Sequence, residues 1–414
     1  MTEQMKRYIR AVKDYCENNY RTCFREPKGT LRHPFIVPGA AYAYELWDWD
    51  SWLTDLALGS IAKEDDISAY EKGCIHNFLE HADSKGRLPI NIIVSDEVSY
   101  GMKLFQLKDD VDTNSHKPCL AQHALFVAEK EGDASWLAPV FDRVKGYIAY
   151  YESHQRHAET GLFVWVDDFA IGVDNDPCTF YRPRYSTASI FLNCLMYMEY
   201  RAMARLCTML GDTDAERYTA CAEALADAIR RECWDERDGF YFSADVNLLP
   251  VDPAEWLHSG APRHWRSLPM RIDVWTGFLP MWCGFATPEE VSRMVEEHLK
   301  NERTFAARYG IRSLSRLERM YSVKKTGNPS CWLGPIWGNA NYMIFEGLLA
   351  YGYEPEARRL AEQTVEMFGR DILACGEMHE YYDPDTGEGV NNQGFQSWNL
   401  LSYRMAEWLE EHDA

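Results

Sequence analysis

Apolar residues recur at a helical period along almost all of this 414-residue chain, and that recurrence is the strongest constraint on its fold. The period predicts twelve helices, which are joined alternately by tight turns and by long loops. A turn as short as Gly132-Asp133 makes the two flanking helices antiparallel neighbours. The predicted helices span residues 2–20, 48–63, 66–83, 115–131, 134–154, 185–211, 213–234, 272–284, 287–300, 336–352, 354–371 and 396–411.

Twelve helices in this arrangement form six hairpins, which predicts an all-α fold with a single (α/α)6 barrel as one domain over residues 1–414. A short strand hairpin is expected at 239–242. The loops between hairpins are rich in glycine, proline, aspartate, asparagine and aromatic residues, so we expect them to carry the functional site. These loops span 21–47, 84–114, 155–184, 235–271, 301–335 and 372–395.

Charge and composition limit the classes of partner. The net charge of −21 disfavours binding to nucleic acid or to an anionic membrane and favours a neutral substrate. The chain has no apolar run of about 18 residues, and its first helix is polar, so we expect a cytoplasmic protein. Its twelve cysteines lack the CxxC spacing, which favours reduced thiols. Aromatic residues make up 14% of the chain, which favours stacking against a ligand.

The segment FVWVDDFAIGVDNDP at 163–177 places four carboxylates among aromatic side chains. A carboxyl group that is desolvated by such neighbours has a raised pKa and can act as a general acid. The alternatives are a solvated acidic loop or a calcium site, although the spacing lacks the pattern of an EF-hand. The four carboxylates are Asp167, Asp168, Asp174 and Asp176.

A second carboxylate loop, GEMHEYYDPDTGE, lies at 376–388 and contains Glu377, Glu380 and Glu388. Two carboxylates that are distant in sequence suit a glycosidase, in which one is the acid and the other is the base or nucleophile. Taken alone, the DPDTG sequence indicates only a turn.

Two aromatic segments accompany these loops. YELWDWDSW at 44–52 and CWLGPIWGN at 331–339 mix tryptophan with aspartate, asparagine and glycine. Carbohydrate sites use this mixture because rings stack on sugar faces and polar side chains bind hydroxyls. Packing in a helical core is the alternative interpretation of each tryptophan.

Other chemistries lack sequence support. The histidines do not form a ligand set, and we expect no closely spaced cysteine and histidine group. No HExxH is present, so we expect neither a metal nor a cofactor. His379, which precedes Glu380, is the histidine closest in sequence to a candidate site, and a structural role is the alternative for it. Motifs for a serine nucleophile, a phosphate loop or a dinucleotide site are also missing.

Four motifs in order resemble glycoside hydrolase family 63 and its trehalase-like relatives. They are WDWDSW at 47–52, GVDNDP at 172–177, WLGPIWGNANY at 332–342 and HEYYDPDTGE at 379–388. The resemblance covers nearly the whole chain and is greatest to a single-domain bacterial branch that includes mannosylglycerate and glucosylglycerate hydrolases and α-glucosidases. It implies an inverting α-glycosidase with its active site in the funnel of an (α/α)6 barrel.

Residue roles follow from the resemblance. Asp174 matches the family's general acid and Glu380 its general base, with Glu377 as the alternative base. The remaining site prediction is a set of substrate contacts from the two aromatic segments, the acidic loop and the last helix. This set is Tyr44, Trp47, Trp49, Asp50, Trp165, Asn175, Trp332, Gly334, Trp337 and Trp398.

Departures from the family pattern leave the substrate open. Leu333 stands where the family usually has an arginine, and Cys178 stands where it commonly has a second arginine. Asp176 replaces a small residue. The substrate is expected to be a small α-glucoside or α-mannoside, including a glycosyl-glycerate whose carboxylate would face an arginine. Candidate arginines are Arg182, Arg184, Arg263, Arg266, Arg271 and Arg312.

Two other functions remain open at this point: a sugar epimerase or isomerase of the same barrel type, and a non-catalytic carbohydrate-binding protein. The large N-terminal β-domain of the family is not expected, because helix 2–20 begins the barrel. The funnel mouth would then be covered by loops such as 84–114 and 235–271 or by a partner subunit in a homo-oligomer.

Overall fold

A computed structural model describes residues 1–94, 115–169, 171–250, 254, 256–257, 263–324 and 328–413. Within these ranges it is mostly helical and contains twelve α-helices, one for each predicted helical segment. They are α1 (Glu3–Asn19), α2 (Asp48–Ile61), α3 (Ser68–Glu80), α4 (Leu120–Glu131), α5 (Phe141–His154), α6 (Ile190–Leu210), α7 (Ala215–Cys233), α8 (Leu279–Cys283), α9 (Pro288–Arg293), α10 (Gly338–Ala350), α11 (Glu354–Cys375) and α12 (Ser402–Glu411).

Local signals in the sequence explain several helix ends. The Thr287 hydroxyl accepts the Glu290 N–H, and the Glu290 carboxylate accepts the Thr287 N–H, which forms a capping box at the start of α9. A π-helical turn over Met294–Leu299 extends α9. Gly132 and Gly211 close α4 and α6 with left-handed φ angles of 69°.

Several predicted helix boundaries are wrong by four residues or more. Helices α5, α8 and α12 begin six or seven residues later than predicted, since 3₁₀ turns over Ser135–Val140, Trp275–Phe278 and Ser397–Leu401 precede them. The helix expected from 115 begins only at Leu120, because Pro118 disfavours helical backbone before it. The helix expected from 185 begins at Ile190, because residues 187 and 188 pair with a strand. The helix expected to end at 371 continues to Cys375 and stops at Gly376, whose φ is 81°.

Short strands make the fold less purely helical than predicted. In the part of the chain that the structure describes, eleven strands of two or three residues join the loops in antiparallel pairs or, in one case, a three-stranded sheet. The expected hairpin is present as β6 and β7, with Trp234 opposite Tyr241 and Asp235 opposite Phe240. The strands are β1 (Phe24–Arg25), β2 (Phe35–Ile36), β3 (Glu45–Trp47), β4 (Asn91–Ile93), β5 (Thr187–Ala188), β6 (Trp234–Asp235), β7 (Phe240–Tyr241), β8 (Ala244–Asp245), β9 (Leu268–Pro269), β10 (Ala306–Ala307) and β11 (Gly310–Ile311).

The even-numbered helices contact one another in chain order. Helix α2 contacts α4, and the contacts then run from α4 to α6, from α6 to α8, from α8 to α10 and from α10 to α12. Helix α12 and the 3₁₀ segment Ser397–Leu401 before it contact α2, which returns the order to its start. The odd-numbered helices pack beside them, for example α7 on α6 and α1 on α11.

Burial patterns agree with this division. Helix α6 is buried on most of its surface, whereas α1 buries only a stripe that contains Ile9, Val12 and Cys16. An amphipathic helix of this kind has one face on the core and one in solvent. Across the described ranges, each helix is too short or too polar to span a membrane.

Candidate active site

A cleft of about 1200 Å³ lies where the loops before α2, α4, α6, α10 and α12 meet. The predicted site residues come from four loops that are far apart in sequence. The structure brings ten of the twelve to this cleft: Tyr44, Trp47, Trp49, Asp50, Asp174, Asn175, Trp332, Trp337, Glu380 and Trp398.

The other two predicted residues lie outside the described cleft lining. Trp165 is 4% exposed and packs near Phe191, with ring centroids 6.4 Å apart, so it belongs to the core. The Gly334 N–H donates to the Ser313 hydroxyl at 3.0 Å. A Cβ at Gly334 would lie 2.5 Å from the Tyr321 ring, and its φ of 144° also favours glycine, so this residue permits a close backbone approach.

Stacked tryptophans form the inner wall of the cleft. The rings of Trp332 and Trp337 are parallel within 4° and 3.9 Å apart. Trp49 and Trp398 lie against each other with centroids 5.0 Å apart, and Trp49 also approaches Trp332 at 5.9 Å. All four rings are almost completely buried, so they pack in the core and present only part of their surface to the cleft. Core packing and ligand contact are therefore not exclusive here.

Asp174 occupies the loop before α6. Burial raises the pKa of its carboxyl group, while an amide donor, Asn328 Nδ2 at 2.9 Å from Oδ2, partly opposes the increase. The neighbouring Asn175 donates to the Ser330 carbonyl at 2.8 Å. The Asp174-Asn175 pair is thus attached to the 328–330 segment through both side chains, and the acid is held in a fixed position.

Glu380 lies in a different environment. Its side chain is 4% exposed, and Oε2 accepts hydrogen bonds from Asn391 Nδ2 at 3.0 Å and Asn392 Nδ2 at 3.2 Å. Two amide donors to one oxygen stabilise the carboxylate form. Asn392 Oδ1 also accepts the Ala41 N–H at 3.1 Å, which links Glu380 to a segment of the cleft wall.

The 328–330 segment connects the two carboxylate loops. Besides its bonds with Asp174 and Asn175, its Pro329 carbonyl accepts the Tyr381 hydroxyl at 2.6 Å. Tyr381 directly follows Glu380 and stacks on Trp337 at 4.8 Å. One short segment therefore fixes both carboxylates relative to the tryptophan wall.

Asp50 is a third buried carboxylate in the cleft. Its Oδ1 accepts the Ser397 hydroxyl at 2.9 Å. Burial raises the pKa of Asp50 well above its usual range, and the Ser397 hydrogen bond and the Lys117 charge oppose this. The first turn of α2 thus presents a polar group beside the Trp49 ring.

Lys117 and Asp48 form an ion pair that sequence reasoning missed. Lys117 Nζ lies 2.8 Å from Asp48 Oδ1, and both side chains are completely buried. The Lys117 N–H also donates to Asp48 Oδ2 at 2.7 Å, and Nζ lies 5.1 Å from the centre of the Trp49 ring. This pair fixes the loop before α4 against the start of α2. The WDWD motif draws attention to Asp48, but its partner Lys117 lies 69 residues away in the sequence.

Further cleft residues were also missed. Tyr42 lines the cleft, and burial and the negative charges of Glu380, Asp50 and Asp174 raise its pKa. Glu45 accepts the Trp47 indole N–H at 2.6 Å, and burial raises the pKa of Glu45 to about 7. Asn328, Asn391 and Asn392 had a detectable signal, because they lie beside Pro329 or the DPDTG turn.

Backbone strain is concentrated around the cleft. Six described residues other than glycine have left-handed φ angles, which cost energy and persist mainly at functional sites. Asn175 and Tyr181 line the cleft, Asn392 binds Glu380, and Ser397 binds Asp50. The six are Ala40, Asn175, Tyr181, Tyr185, Asn392 and Ser397.

The remaining predicted carboxylates have other contacts. Asp168 lines the cleft, and burial raises its pKa. Asp176 accepts the Cys178 N–H at 2.9 Å, and Asp167 lies 3.6 Å from the Arg184 guanidinium. Glu377 accepts the Tyr15 hydroxyl at 2.7 Å and lies outside the described cleft lining.

The six candidate arginines all have partners elsewhere. Arg182 binds Asp245 at 2.6 Å, Arg263 binds Glu159 at 2.6 Å, and Arg312 binds Asp385 at 3.1 Å. Arg271 binds both Asp235 and Asp238, Arg184 binds Asp167, and Arg266 donates to a backbone carbonyl. The described cleft lining contains none of the six.

One histidine expectation requires correction. His379 does lie close to a cysteine, because side-chain ligand atoms of Asp371, Cys375 and His379 lie within 4.8 Å of one another. His379 Nδ1 is 2.8 Å from Asp371 Oδ2, and the Tyr382 hydroxyl donates to the same oxygen at 2.7 Å. The short sequence spacing of Cys375 and His379 could have indicated that the two side chains lie close together. The cluster lies outside the described lining of the cleft.

The expected covering loops are only partly described. Residues 95–114 of loop 84–114 lie outside the described residues, as do 251–253, 255 and 258–262 of loop 235–271.

Comparison with known proteins reveals a matching family. The profile described as "Mannosylglycerate hydrolase MGH1-like glycoside hydrolase domain" matches residues 42–398. The chain is 26% identical over 231 residues to mannosylglycerate hydrolase of Thermus thermophilus, which covers 55% of this chain and 47% of that protein. It is 27% identical over 304 residues to a probable mannosyl-oligosaccharide glucosidase of Schizosaccharomyces pombe, over 69% of this chain and 33% of that protein. The matches thus span about half of these relatives' length or less.

A solved structure has a similar fold. A family 63 mannosylglycerate hydrolase of Thermus thermophilus, solved in complex with glucose, superimposes with a TM-score of 0.68. It shares 19% sequence identity, and the alignment covers 96% of this chain and 100% of that one. The two proteins therefore share their architecture.

Proposed function

Because the chain belongs to the mannosylglycerate hydrolase MGH1-like family of glycoside hydrolases, we propose that it hydrolyses a small α-glucoside or α-mannoside with inversion at the anomeric carbon. One observation carries the proposal: Asp174 and Glu380 share one cleft in different environments, since burial raises the pKa of Asp174 whereas one Glu380 oxygen accepts hydrogen bonds from two amides. Two carboxyl groups with different environments are what an acid and a base require.

Asp174 is the proposed general acid. Its raised pKa keeps the carboxyl group protonated closer to neutral pH, so it can donate its proton to the departing glycosidic oxygen. The bond from Asn328 holds Oδ2 in place. Since Asp174 must be protonated to act, its pKa sets the pH above which activity falls.

Glu380 is the proposed general base. The amides of Asn391 and Asn392 stabilise its carboxylate, which removes a proton from the attacking water. The water attacks the anomeric carbon from the face opposite the leaving group, and the carbon–oxygen bond breaks as the new one forms. The sugar would bind along Trp49, Trp332 and Trp398, with Asp50 accepting a hydroxyl hydrogen bond.

The proposal includes a single domain over residues 1–414 in which six helical hairpins close into an (α/α)6 barrel. The cyclic order of contacts among α2, α4, α6, α8, α10 and α12 supports closure. The cleft lining comes from the loops that precede α2, α4, α6, α10 and α12 and from the first turn of α2, so the loops would form a funnel at one end of the barrel.

A panel assay tests the proposed activity. The protein should release reducing sugar from at least one member of a panel of α-linked glucosides, mannosides and their glycerate conjugates. Conversion of a free sugar into its epimer or ketose isomer would instead favour an epimerase. Saturable binding across the panel without any release would favour a non-catalytic binding protein.

Asn392 provides a pH prediction. In Asn392→Asp, Glu380 loses an amide donor and gains a negative neighbour, so a proton binds Glu380 more readily. A hydrogen bond to a charged group contributes about 1.5–3 kcal/mol, so the acidic limb of the kcat/KM profile should move up by about 1–2 pH units. The alkaline limb should stay in place.

Controls separate this effect from a loss of structure. Asn392 has a left-handed φ of 51°, which aspartate and glycine both tolerate. Asn392→Gly, which adds no charge, should shift the same limb by a smaller amount. Gln393→Glu adds the same charge on the exposed neighbouring residue and should leave the profile nearly unchanged. An unshifted acidic limb in Asn392→Asp would reject this role.

A further inference from the structure

Exposed aromatic rings are concentrated at the rim of the cleft. Tyr181 is 91% exposed, Tyr44 is 53% exposed and Phe169 is 39% exposed, and all three line the cleft that contains Asp174 and Glu380. Phe180 lies against Tyr181, with ring centroids 4.0 Å apart. Exposed aromatic rings that line a cleft beside candidate catalytic carboxylates indicate a ligand contact.

Tyr181 is held in an unfavourable backbone conformation. Its φ of 59° lies in the left-handed region, which a bulky residue rarely adopts. The ring gains little burial in return, because 91% of the residue remains exposed. Strain of this kind is characteristic of functional positions. The loop therefore presents the Tyr181 ring to something that arrives from solvent.

The charges of the described cleft oppose an anionic leaving group. Lys117 is the basic residue of the described lining, and it is already paired with the buried Asp48 at 2.8 Å. The six arginines near the loops are paired with other groups, as described above. The acidic residues of the lining are Glu45, Asp50, Asp168, Asp174 and Glu380. A glycerate carboxylate would find no unpaired cation in this described lining, whereas a sugar would meet rings and the hydrogen-bonding oxygens of carboxyl groups.

We propose that Tyr44, Phe169, Phe180 and Tyr181 form the binding site for the leaving group, and that this group is a neutral sugar ring and not a glycerate. The inference rests on the proposed glycosidase function and names its substrate class. The volume of about 1200 Å³ exceeds the range of roughly 300–1000 Å³ typical of small-ligand pockets, which gives room for a second sugar beside the one being cleaved.

The test compares three substrates in the wild-type protein and in Tyr181→Gly. They are α-linked disaccharides of glucose or mannose, the matching glycosyl-glycerates, and the matching α-glycosyl fluorides. The fluoride has no leaving-group sugar, so it reports the catalytic carboxylates alone. The wild type should prefer a disaccharide to the glycerate conjugate, and Tyr181→Gly should lower kcat/KM for the disaccharide about tenfold without changing that for the fluoride.

Glycine suits the left-handed φ at position 181, so this substitution removes the ring without straining the loop. Tyr185→Gly is the matched control, because Tyr185 lies in the same loop with a φ of 58° but outside the described cleft lining. It should leave all three substrates unaffected.

The outcomes separate the two proposals. A wild type that hydrolyses none of the three substrates, the fluorides included, rejects the proposed function. If the fluoride is hydrolysed, any of three results overturns the neutral-sugar site and leaves the glycosidase function in place. These results are a preference of the wild type for the glycerate conjugate, no cleavage of any disaccharide, and unchanged disaccharide kinetics in Tyr181→Gly.

Discussion

Replacing Asp174 by asparagine should lower kcat for an α-glycoside by at least about 100-fold, as expected when general acid catalysis is lost. Asparagine has nearly the same shape and can still accept the hydrogen bond from Asn328, so the loop should keep its conformation. The loss then comes from the missing proton. Without it, the sugar oxygen must leave as an unstable alkoxide.

The choice of substrate makes this prediction specific. Fluoride leaves without protonation, so hydrolysis of an α-glycosyl fluoride by Asp174→Asn should fall much less than that of the glycoside. Asp168→Asn is the matched control, since Asp168 lines the same cleft from the same loop and its pKa is also raised by burial. A large loss in Asp168→Asn with near-normal turnover in Asp174→Asn would show that the acid has been assigned to the wrong residue.

Replacing Glu380 by glutamine should lower kcat by about 10²–10⁴-fold for glycosides and fluorides alike. The attacking water needs a base whichever group departs, so a better leaving group should not restore the rate. This equal loss distinguishes Glu380 from Asp174. Steady-state rates on one glycoside and one fluoride are sufficient to measure it.

Glu377→Gln is the control for the base. Glu377 lies three residues before Glu380, but its carboxylate accepts the Tyr15 hydroxyl outside the described cleft lining. The variant should retain most of its activity. If Glu377→Gln lost the activity and Glu380→Gln kept it, Glu377 would be the base.

Periodicity was a reliable guide to the helices because each one buries an apolar stripe. All twelve predicted segments contain an α-helix. Some of the errors lie at ends that distant contacts decide. Residues 187 and 188 pair with residues 244 and 245, and Lys117 turns its N–H toward Asp48. A helical pattern in one segment contains no information about such partners.

The sequence predicted correctly that most, but not all, of the named tryptophans line the cleft. Both aromatic segments reach the cleft, but Trp165 lies in the core although it is adjacent in sequence to the acidic loop. Sequence distance cannot show which side of a loop a ring faces. The same limit applies to Asn391 and Asn392, whose amides bind Glu380 only because the chain turns back at the DPDTG sequence.

The electrostatic arrangement also depends on the fold. The sequence of the 163–177 loop predicted a desolvated carboxylate but did not show which of its four aspartates it is. The structure places Asp167 beside Arg184 and gives Asp176 a backbone partner, while Asp174 and Asp168 line the cleft. Burial raises the pKa of Asp174, and hydrogen bonds from the 328–330 segment partly oppose the increase, so the pKa depends on groups from another loop.

The stereochemistry of the first product tests the central claim most directly. Proton NMR recorded during the first minutes of hydrolysis of an α-glycoside distinguishes the two anomers before they interconvert. If Glu380 activates a water opposite the leaving group that Asp174 protonates, the β-anomer should accumulate first. Initial release of the α-anomer would contradict the inverting mechanism and the roles proposed for both carboxylates.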